Sequence, residues 1–376
     1  MIRVLHFISD SNIGGAGRLL VHCLRHFDRT RFDVAVVLPR GSALLPLIEE
    51  TGTRVIETDA GRDASHEKGA VAAFRNIIRQ EKPHIVHTHS AFDAKLAAYL
   101  CGVKSRIYTR HSVFEPSRRL TTFPGKQVSG LVNNTLATRI IAVAEAARDN
   151  LTATGVREDK ITVILNGVEP LNRTSPEERA ALRKSLGLAE TDFVCGISAR
   201  FEPYKGHSYL LETARMAAER RDNVKFLCPG TGSVWEETAE KVKEMGLTDR
   251  VLLPGFCSDM VPYYSIMDLS LNCSWGTEAT SLALIEAMSL GLPTVATRFG
   301  GNPGVVKDGV NGILTPIRDS EAMADAIVKI ASDAALYRTL SEGASRIFSE
   351  NFTAAAMTKQ MEEIYLSEAE RCGFAE

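Results

Sequence analysis

The sequence predicts an α/β protein built from two doubly wound parallel sheets, and two observations lead to that fold class. First, short apolar runs alternate along the chain with amphipathic stretches, an order typical of right-handed βαβ units. Second, the alternation stops at residues 169–178, a polar stretch that contains Pro170 and Pro176, and then starts again. A length of 376 residues suits two domains that each bury a core.

The first domain is predicted to span residues 1–166. Its strand candidates are short apolar runs at 2–8, 33–38, 54–57, 84–89, 106–110, 139–143 and 161–165. Amphipathic stretches lie between them at 18–27, 67–80 and 91–100, with the spacing of helices that pack one face on a sheet.

The second domain is predicted to span residues 167–350, followed by a C-terminal segment, residues 351–376. Strand candidates lie at 193–198, 225–228, 251–253, 269–273 and 293–297, with one further strand before residue 315, and helix candidates lie at 281–290, 322–330, 335–348 and 355–366. The helix at 281–290 ends at Gly291, shortly before Pro293, and both residues are stop signals for a helix.

The composition is that of an ordinary globular protein, with 24% charged and 44% hydrophobic residues. The apolar run at the N-terminus is interrupted by His6 and is too short for a signal peptide, and no run reaches the roughly 18 apolar residues of a membrane span. A cytoplasmic location is therefore expected. The seven cysteines are scattered without a Cys-x-x-Cys pair, which indicates neither a disulfide framework nor a zinc site.

A net charge of −2 hides an asymmetry between the domains. Residues 1–166 contain 23 Lys and Arg against 16 Asp and Glu, whereas the remainder contains 21 against 30. Eight of the nine histidines also lie in the first domain. The two domains are therefore expected to face different surroundings.

Two loops of the second domain, 274–280 and 298–304, follow neighbouring strand candidates. Ligands of parallel α/β sheets bind outside the carboxyl ends of the strands, so both loops are expected to face one ligand. Glu278 lies in the first loop and Glu286 near the start of the helix behind it. On one helix they would be about 12 Å apart along the axis, which fits a long ligand with vicinal hydroxyls such as those of a ribose. The alternative is that both are solvated surface charges.

Arg200 and Lys205 follow the first strand of the second domain and precede a helix, so both cations can reach the same crevice. Such a pair suits a diphosphate, which Arg can bind through two hydrogen bonds and Lys as a point charge. The alternative is a loop held by salt bridges.

A glycine-rich turn with Gly14, Gly15 and Gly17 follows the first strand and opens a helix. Its backbone could approach an anionic ligand at the helix N-terminus. Leu20 stands where a dinucleotide fingerprint has its third glycine, and a purely structural turn is the alternative. In the strand at 84–89, His87 and His89 share one face, but no third ligand is nearby in sequence, so no metal site is predicted.

These patterns together resemble the family-4 retaining glycosyltransferases of the GT-B fold. The residues that carry the resemblance lie between 196 and 312, although it extends over nearly the whole chain. They are Arg200, Glu202, Lys205, Gly206, Glu278, Glu286, Ala287, Met288, Gly291, Leu292, Pro293, Gly300 and Gly301. The chain departs from the family at Gly304, where Glu is usual, and at Ala279 and Thr280, where Gly-Phe is common.

The resemblance implies two Rossmann-like domains that face each other across a cleft, with residues 351–376 crossing back onto the first domain. It implies transfer of a hexose from a nucleoside-diphosphate sugar, with a UDP-sugar as the expected donor, no further cofactor and no metal. No Asp-x-Asp pair that could hold a divalent ion occurs in the sequence.

The resemblance also implies roles for single residues. Glu286 would bind the donor ribose, and His89, Arg200, Lys205 and Glu278 would act at the reacting centre. The remaining donor-binding residues would be Gly14, Gly15, Gly230, Gly232, Phe256, Gly300 and Gly301. His87 is interpreted as a packed or hydrogen-bonded core residue.

Residues 104–139 form a basic segment with seven Lys and Arg and a single acid, Glu115. Leu120, Phe123 and Leu131 are interleaved with these charges. The segment could contact an anionic or lipid-linked acceptor, such as a cell-surface glycan precursor, or lie peripherally on an acidic membrane surface. The residues assigned to this role are Arg110, His111, Arg118, Arg119 and Lys126. An ordinary solvated basic face is the alternative, and no nucleic-acid partner is expected.

Other functions are compatible with the same fold. A sugar-nucleotide epimerase would convert the donor alone, and a catalytically silent sugar-nucleotide-binding protein would convert nothing. A dinucleotide oxidoreductase is the weakest alternative because the glycine fingerprint is incomplete.

Overall fold

A computed structural model describes residues 1–63, 66–113 and 116–374. Within it the chain divides into two compact units, one formed by Met1–Val168 and the C-terminal segment from Ala354, the other by Glu169–Thr353. The divisions fall after residues 168 and 353, where the sequence predicted 166 and 350. Each unit contains one parallel sheet with helices.

The sheet of the first unit has the strand order β3-β2-β1-β4-β5-β6-β7. All neighbours are parallel, and the order reverses between β1 and β4, the switch point of a doubly wound sheet. The strands are β1 (Ile2–Ile8), β2 (Phe32–Pro39), β3 (Arg54–Thr58), β4 (Ile85–His89), β5 (Ser105–Arg110), β6 (Arg139–Ala142) and β7 (Ile161–Val163).

Helices connect these strands and cover the sheet. They are α1 (Gly15–His26), α2 (Leu45–Glu49), α3 (Ala70–Glu81), α4 (Phe92–Leu100), α5 (Arg118–Thr121), α6 (Gly125–Leu136) and α7 (Glu145–Ala153). In one apolar cluster, Leu5 and Phe7 of β1 and Val86 of β4 pack with Phe74 and Ile78 of α3. The predicted alternation of strands and helices is therefore present, and the helices pack on the sheet to form a layered core.

The second unit repeats this architecture with six strands in the order β10-β9-β8-β11-β12-β13. Its switch point lies between β8 and β11. The strands are β8 (Phe193–Gly196), β9 (Val224–Pro229), β10 (Val251–Gly255), β11 (Leu269–Asn272), β12 (Thr294–Thr297) and β13 (Gly312–Thr315). The helices are α8 (Pro176–Ser185), α9 (His207–Arg220), α10 (Trp235–Glu244), α11 (Val261–Ile266), α12 (Leu282–Ser289), α13 (Asn302–Val305), α14 (Ser320–Ser332) and α15 (Ala334–Asn351).

The last helix, α16 (Ala354–Cys372), belongs to the first unit. Its Tyr365 is fully buried and stacks on Phe27, with ring centroids 5.8 Å apart. Its Glu368 is also buried and accepts hydrogen bonds from Ser105 at 3.0 Å and Arg139 at 3.3 Å. These contacts fix the C-terminal helix on the sheet of the first unit.

The sequence predicted that the alternation of strands and helices stops over the whole polar stretch 169–178. The structure differs at its end, because residues 176–178 are the first turn of α8. Ser175 is its N-cap, and the Ser175 hydroxyl accepts from the N–H of Glu178 at 3.2 Å while the Glu178 carboxylate accepts from the N–H of Ser175 at 2.9 Å. This capping box, with Pro176 at the first helical position, starts a helix in a sequence that has few apolar residues.

None of the helices within residues 1–63, 66–113 and 116–374 combines the length and the apolar character that crossing a membrane requires.

Candidate functional site

Loops at the carboxyl ends of β8, β11 and β12 meet around the switch point of the second unit. Gly206, with a φ of +80°, lies against the carbonyl of Cys273 at a distance that leaves no room for a Cβ atom. Gly300, with a φ of +54°, lies in the same way against the carbonyl of Glu278, which also accepts from the N–H of Gly301 at 3.1 Å. Glycine therefore lets the three loops approach at the place where open α/β sheets bind ligands.

Lys205 and Glu278 form an ion pair at this meeting point. The Lys205 Nζ donates to Glu278 Oε2 at 2.8 Å, and the two side chains are only 19% and 8% exposed. The same oxygen accepts from the Ser274 hydroxyl at 2.7 Å and from the Asn272 Nδ2 at 3.0 Å. Three donors on one carboxylate oxygen hold Lys205 and Glu278 in a fixed geometry.

A second tier of polar residues supports this pair. The Asn302 amide donates to the Asn272 Oδ1 at 3.3 Å and to the carbonyl of Thr297 at 3.0 Å. The Thr297 hydroxyl donates to the carbonyl of Ser274 at 2.6 Å. Sequence reasoning missed Asn272, Ser274 and Asn302. Asn272 could have been noticed, because it is a polar residue at the end of an apolar strand, and a buried amide needs hydrogen-bond partners.

Arg200 lies in the loop after β8 and is exposed. Its guanidinium donates to the Tyr204 hydroxyl at 3.4 Å, a long contact that leaves the side chain in solvent. The alternative of a loop held by salt bridges therefore applies to Lys205, which is paired with Glu278, and not to Arg200 within the described residues.

Glu286 is buried in the middle of α12, not near its start as the sequence suggested. Ser281 is the N-cap of the helix, which places Glu286 on the second turn and leaves Glu278 in the loop. Glu286 Oε2 accepts from the Tyr264 hydroxyl at 2.9 Å. The two carboxylates thus have separate sets of partners, as expected for contacts to different parts of a ligand.

The remaining predicted donor residues of this unit lie at the ends of β9 and β10. Gly230 and Gly232 lie against the carbonyls of Ala199 and Phe201, so they join the β9 loop to the β8 loop. Phe256 is 77% exposed, directly after Gly255 at the end of β10. A large exposed aromatic ring beside a crevice is available for stacking on a base.

The glycine-rich turn of the first unit follows β1. Gly14 is the N-cap of α1 and Gly15 its first residue, and no side chain caps the helix. The carboxylate of Asp10 lies so near Gly14 that a Cβ there would be 3.3 Å from it. Burial and the charge of Asp63 raise the pKa of Asp10. Gly17 is needed for packing, because a Cβ would collide with the side chain of Leu44.

Four histidines lie together at the carboxyl ends of β1, β4 and β5. His87 and His89 share one face of β4 as predicted, and His6 of β1 is paired with His87 in the sheet register. His89 is buried, with His6 on one side and His111 on the other, each at 2.9 Å. The structure thus places His89 inside a cluster, while His111 is half-buried at its edge.

His6, His87 and His89 could offer a metal ion three nitrogens that lie within 4.8 Å of one another, which the sequence did not indicate. The missed signal was the register that sets His6 beside His87. However, each ring nitrogen of these three residues already has a hydrogen-bond partner. A metal would have to break those bonds, so the arrangement does not fit one, and the absence of a metal stays a prediction.

The structure divides six of the seven basic residues of segment 104–139 into two groups, and the seventh, Lys104, is exposed directly before β5. Arg106 and Arg139 turn inward: Arg106 donates to the carbonyl of Leu136 at 2.9 Å, and Arg139 pairs with Glu368. Arg110 also bonds locally, to the carbonyl of Ser112 at 3.1 Å. The exposed group lies on α5, α6 and their connection, and Glu115 lies outside the described residues. The exposed group comprises Arg118, Arg119 and Lys126 with the apolar Leu120, Phe123, Val128 and Leu131.

Comparison with known proteins matches both units to one group of proteins. Residues 13–170 match the model of Glycosyltransferase Family 4, and residues 192–333 match the model of Glycosyl transferases group 1. Together the two ranges include most of the chain.

Similar proteins match from about three quarters of the chain to nearly all of it. The UDP-Gal:alpha-D-GlcNAc-diphosphoundecaprenol alpha-1,3-galactosyltransferase of Escherichia coli is 25% identical over 387 residues, which is 97% of this chain and 97% of that protein. The N-acetyl-alpha-D-glucosaminyl L-malate synthase of Bacillus anthracis is 25% identical over 77% of this chain and 76% of its own length.

Solved structures agree with this result. Anabaena HepE in complex with UDP superimposes with a TM-score of 0.83 and 25% identity, over 98% of this chain and 100% of that one. The sucrose-phosphate synthase of Thermosynechococcus elongatus shares the fold, with a TM-score of 0.74 at 20% identity over 98% of this chain and 99% of that one.

Proposed function

The chain belongs to the family-4 glycosyltransferases of the GT-B fold, and from that premise we propose that it transfers a hexose from a UDP-sugar to a lipid-linked acceptor with retained anomeric configuration. The observation that carries this proposal is the Lys205–Glu278 pair at the switch point of the second sheet. It supplies a partly buried, oriented cation where nucleotides bind in open α/β sheets.

Lys205 is proposed to bind the donor diphosphate together with Arg200. The Lys205 ammonium is partly shielded from water and held by Glu278, so it needs little reorganisation when negative charge builds on the departing oxygen. Arg200 is exposed in the same loop and can add two parallel hydrogen bonds to phosphate oxygens. With two such cations, the departing diphosphate needs no metal, and activity should survive EDTA.

Glu278 is proposed to contact the donor sugar, and Glu286 the ribose. The buried carboxylate of Glu286 is oriented by the Tyr264 hydroxyl and can accept hydrogen bonds from vicinal hydroxyls. Gly300 and Gly301 bring the β12 loop against the backbone of Glu278. This loop therefore supports Glu278, the proposed sugar contact, and through it Lys205, the proposed diphosphate contact.

UDP is the nucleotide that the relatives support. HepE was crystallised with UDP, and the name of the Escherichia coli relative specifies UDP-Gal as donor. The exposed ring of Phe256 and the loops with Gly230 and Gly232 are proposed to surround the base.

Retention is proposed to occur on a single face of the sugar. The diphosphate leaves toward Lys205 and Arg200, and the acceptor hydroxyl attacks from the same side while an oxygen of the leaving group takes its proton. The hydroxyl oxygen forms the new bond to the anomeric carbon as the old bond to phosphate breaks. His111, half-buried after β5, is proposed to meet the acceptor, and the buried His89 supports it from 2.9 Å behind.

The exposed group of basic and apolar residues on α5 and α6 is proposed to lie on an anionic membrane surface, from which the acceptor would come. Phe123 is 81% exposed and Leu131 70%, beside Arg118, Arg119 and Lys126. Apolar side chains of this kind can enter the headgroup region, and each basic residue there contributes about 1 kcal/mol. The Escherichia coli relative is named for a diphosphoundecaprenol acceptor, an anionic lipid.

Vesicle co-sedimentation tests this surface. Binding to anionic vesicles at low salt should exceed binding to neutral ones, and Arg118→Glu with Arg119→Glu should abolish the excess. The matched control changes two exposed residues at the end of α3 in the same way, Arg79→Glu with Lys82→Glu, and should bind as the wild type does. Equal binding to both vesicle types would refute the membrane proposal.

A donor panel tests the activity itself. Incubation with UDP-, GDP- and ADP-hexoses should release UDP slowly in water and faster with a polyprenyl-diphosphate sugar as acceptor. Lys205→Met should reduce turnover about ten- to a hundredfold, the effect of losing one charge-assisted contact in the transition state. Conversion of the donor to an epimer, or no nucleotide release from any donor, would contradict a transferase.

A further inference from the structure

A continuous line of hydrogen bonds runs through the interior of the first unit at the carboxyl end of its sheet. It starts at the Thr109 hydroxyl, 2.6 Å from His87 Nε2, and continues from His87 Nδ1 to the Tyr365 hydroxyl at 2.6 Å. Tyr365 is 3.2 Å from His6 Nε2. We call this row of hydrogen-bonded side chains the file. It joins the C-terminal helix to the centre of the sheet.

The second half of the file consists of imidazoles alone. His6 Nδ1 is 2.9 Å from His89 Nε2, and His89 Nδ1 is 2.9 Å from His111 Nε2. His6, His87 and His89 are fully or almost fully buried, and His111 is half-buried at the end. Among the described residues, His111 Nδ1 has no hydrogen-bond partner, so it is the open end of the file.

Each link imposes a condition on the ring protons. A neutral imidazole carries one N–H and one lone pair, so in every contact between two rings one nitrogen must be protonated and the other not. Every link in this file joins the Nδ1 of one histidine to the Nε2 of the next, directly or through Tyr365. A proton placed on Nδ1 of one ring therefore requires a proton on Nδ1 of its neighbour.

We infer that His6, His87, His89 and His111 share one tautomer, either all Nδ1–H or all Nε2–H, and that Tyr365 couples the two halves of the file. In the first state the Thr109 hydroxyl donates to His87, and in the second His87 donates to Thr109. Tyr365 could accept from both rings, but its own buried hydroxyl proton would then lack a partner among the described residues, which is costly.

The four rings meet the condition of neutrality. Burial lowers the pKa of His6 to about 3 and that of His111 to about 4, and it lowers the pKa of His87 and His89 well below the ordinary value. For His87 and His89 the neighbouring histidines add to this effect, because a positive charge on one ring opposes a charge on the next. At neutral pH the file therefore contains no imidazolium that would break its direction.

The coupling has a consequence for the reaction, and this part rests on the proposed function. If His111 meets the acceptor, its open nitrogen is a hydrogen-bond donor in the all-Nδ1–H state and an acceptor in the all-Nε2–H state. Only the second state can accept a hydrogen bond from a neighbouring, non-reacting hydroxyl of the acceptor and so orient it, while the proton of the attacking hydroxyl goes to the leaving group. Tyr365, on the C-terminal helix, is then a positioning residue that helps to fix the state of His111 through two other rings, His6 and His89.

The test is long-range proton–nitrogen NMR on the full-length protein labelled with nitrogen-15 in histidine, because the pattern of couplings distinguishes the two tautomers. The wild type should show the same tautomer at His6, His87, His89 and His111. A mixture of tautomers among the four would overturn the inference, whatever the activity of the protein.

Tyr365→Phe provides the matched perturbation, since it removes the hydroxyl and keeps the ring packing on Phe27. His6, His89 and His111 should still agree with one another, whereas His87 should become independent of them. Phe27→Leu, which alters packing against Tyr365 without touching a hydrogen bond, should leave all four rings in one tautomer. Disagreement among His6, His89 and His111 in either variant would refute the coupling.

Two further measurements separate this inference from its alternatives. Zinc added in stoichiometric amount should leave the four spectra unchanged, and a shift at His6, His87 and His89 would show a metal site in place of the file. With a working donor and acceptor, Tyr365→Phe should lower kcat about tenfold at unchanged donor KM, less than the loss of a general base itself. Without any transfer activity, the proposed function would fail while the tautomer result would still stand.

Discussion

The two units have the same strand order around their switch points, yet they bury opposite kinds of polar group there. The first places four neutral histidines in a row at the carboxyl ends of β1, β4 and β5. The second places a charged pair, Lys205 and Glu278, between the loops after β8 and β11. The same topology therefore supports a charge-free polar interior in one unit and a fixed charge in the other.

The difference follows from the cost of burial. A neutral imidazole needs only hydrogen-bond partners, whereas a buried ion also needs an opposite charge and further donors. Glu278 has both, since Lys205, Ser274 and Asn272 converge on one oxygen. The first unit should consequently be sensitive to added protons, and the second to removal of a single partner.

Acid should affect the first unit most strongly, and this is the largest effect expected. His6, His87, His89 and His111 have lowered pKa values in the folded state, so between pH 6.5 and about 4 the unfolded chain binds more protons than the folded one. Their contribution to stability is complete above pH 6.5 and is lost as the pH falls. Each histidine can contribute up to about 1.4 kcal/mol per pH unit in this range.

Hydrogen exchange followed by mass spectrometry on the intact protein checks this prediction. Peptides of β1, β4 and β5 should lose protection between pH 6.5 and pH 5 before peptides of β8, β9 and β11 do, after correction for intrinsic exchange rates. The second unit contains one comparable group, His207, whose pKa burial lowers to about 4. Equal or earlier loss of protection in the second unit would contradict the comparison.

Removal of one partner should damage the second unit. Glu278→Ala leaves Lys205 in a site that is 19% exposed without its carboxylate, which should cost about 3 kcal/mol of unfolding free energy. Lys241→Ala is the control, because it breaks an exposed pair with Glu237 and should hardly change stability. Urea unfolding at pH 7 measures both, and equal effects of the two substitutions would show that burial of the pair is unimportant.

A smaller effect is expected at the other carboxylate of the second unit. Glu286→Ala should weaken donor binding about tenfold by removing the acceptor for the ribose hydroxyls, with little change in kcat. Tyr264→Phe keeps that carboxylate and removes only its support at 2.9 Å, so it should raise the donor KM less. Steady-state kinetics with varied donor decides the matter, and an unchanged KM in Glu286→Ala would exclude the ribose role.

The sequence predicted the fold well where continuous apolar runs mark buried strands. The strand candidates 2–8, 84–89 and 269–273 correspond to β1, β4 and β11, since buried parallel strands are continuous apolar runs. It failed where helices lack an apolar stripe: α8 begins inside the polar stretch 169–178, which was interpreted as the boundary between the domains. There a capping box supplies the start signal, and the local chemistry of Ser175 and Glu178 outweighs composition.

The candidate site was predictable only in part. Lys205 and Glu278 stand out in the sequence because they lie in loops that follow the carboxyl ends of strands, where parallel α/β sheets bind ligands. Their pairing, and the support from Asn272 and Asn302, depends on which loops the sheet order brings together. The contact between His6 and His89 likewise depends on the pairing of β1 with β4, which no local pattern contains.

Calorimetric titration of the wild type and Lys205→Met with UDP and with uridine tests the central claim most directly. The claim is that the second unit binds the diphosphate of a nucleotide sugar at the Lys205–Glu278 pair. Lys205→Met should lose about ten- to a hundredfold of the affinity for UDP and keep the affinity for uridine, since only UDP carries the diphosphate. An equal loss for both ligands, or an unchanged affinity for UDP, would contradict the account.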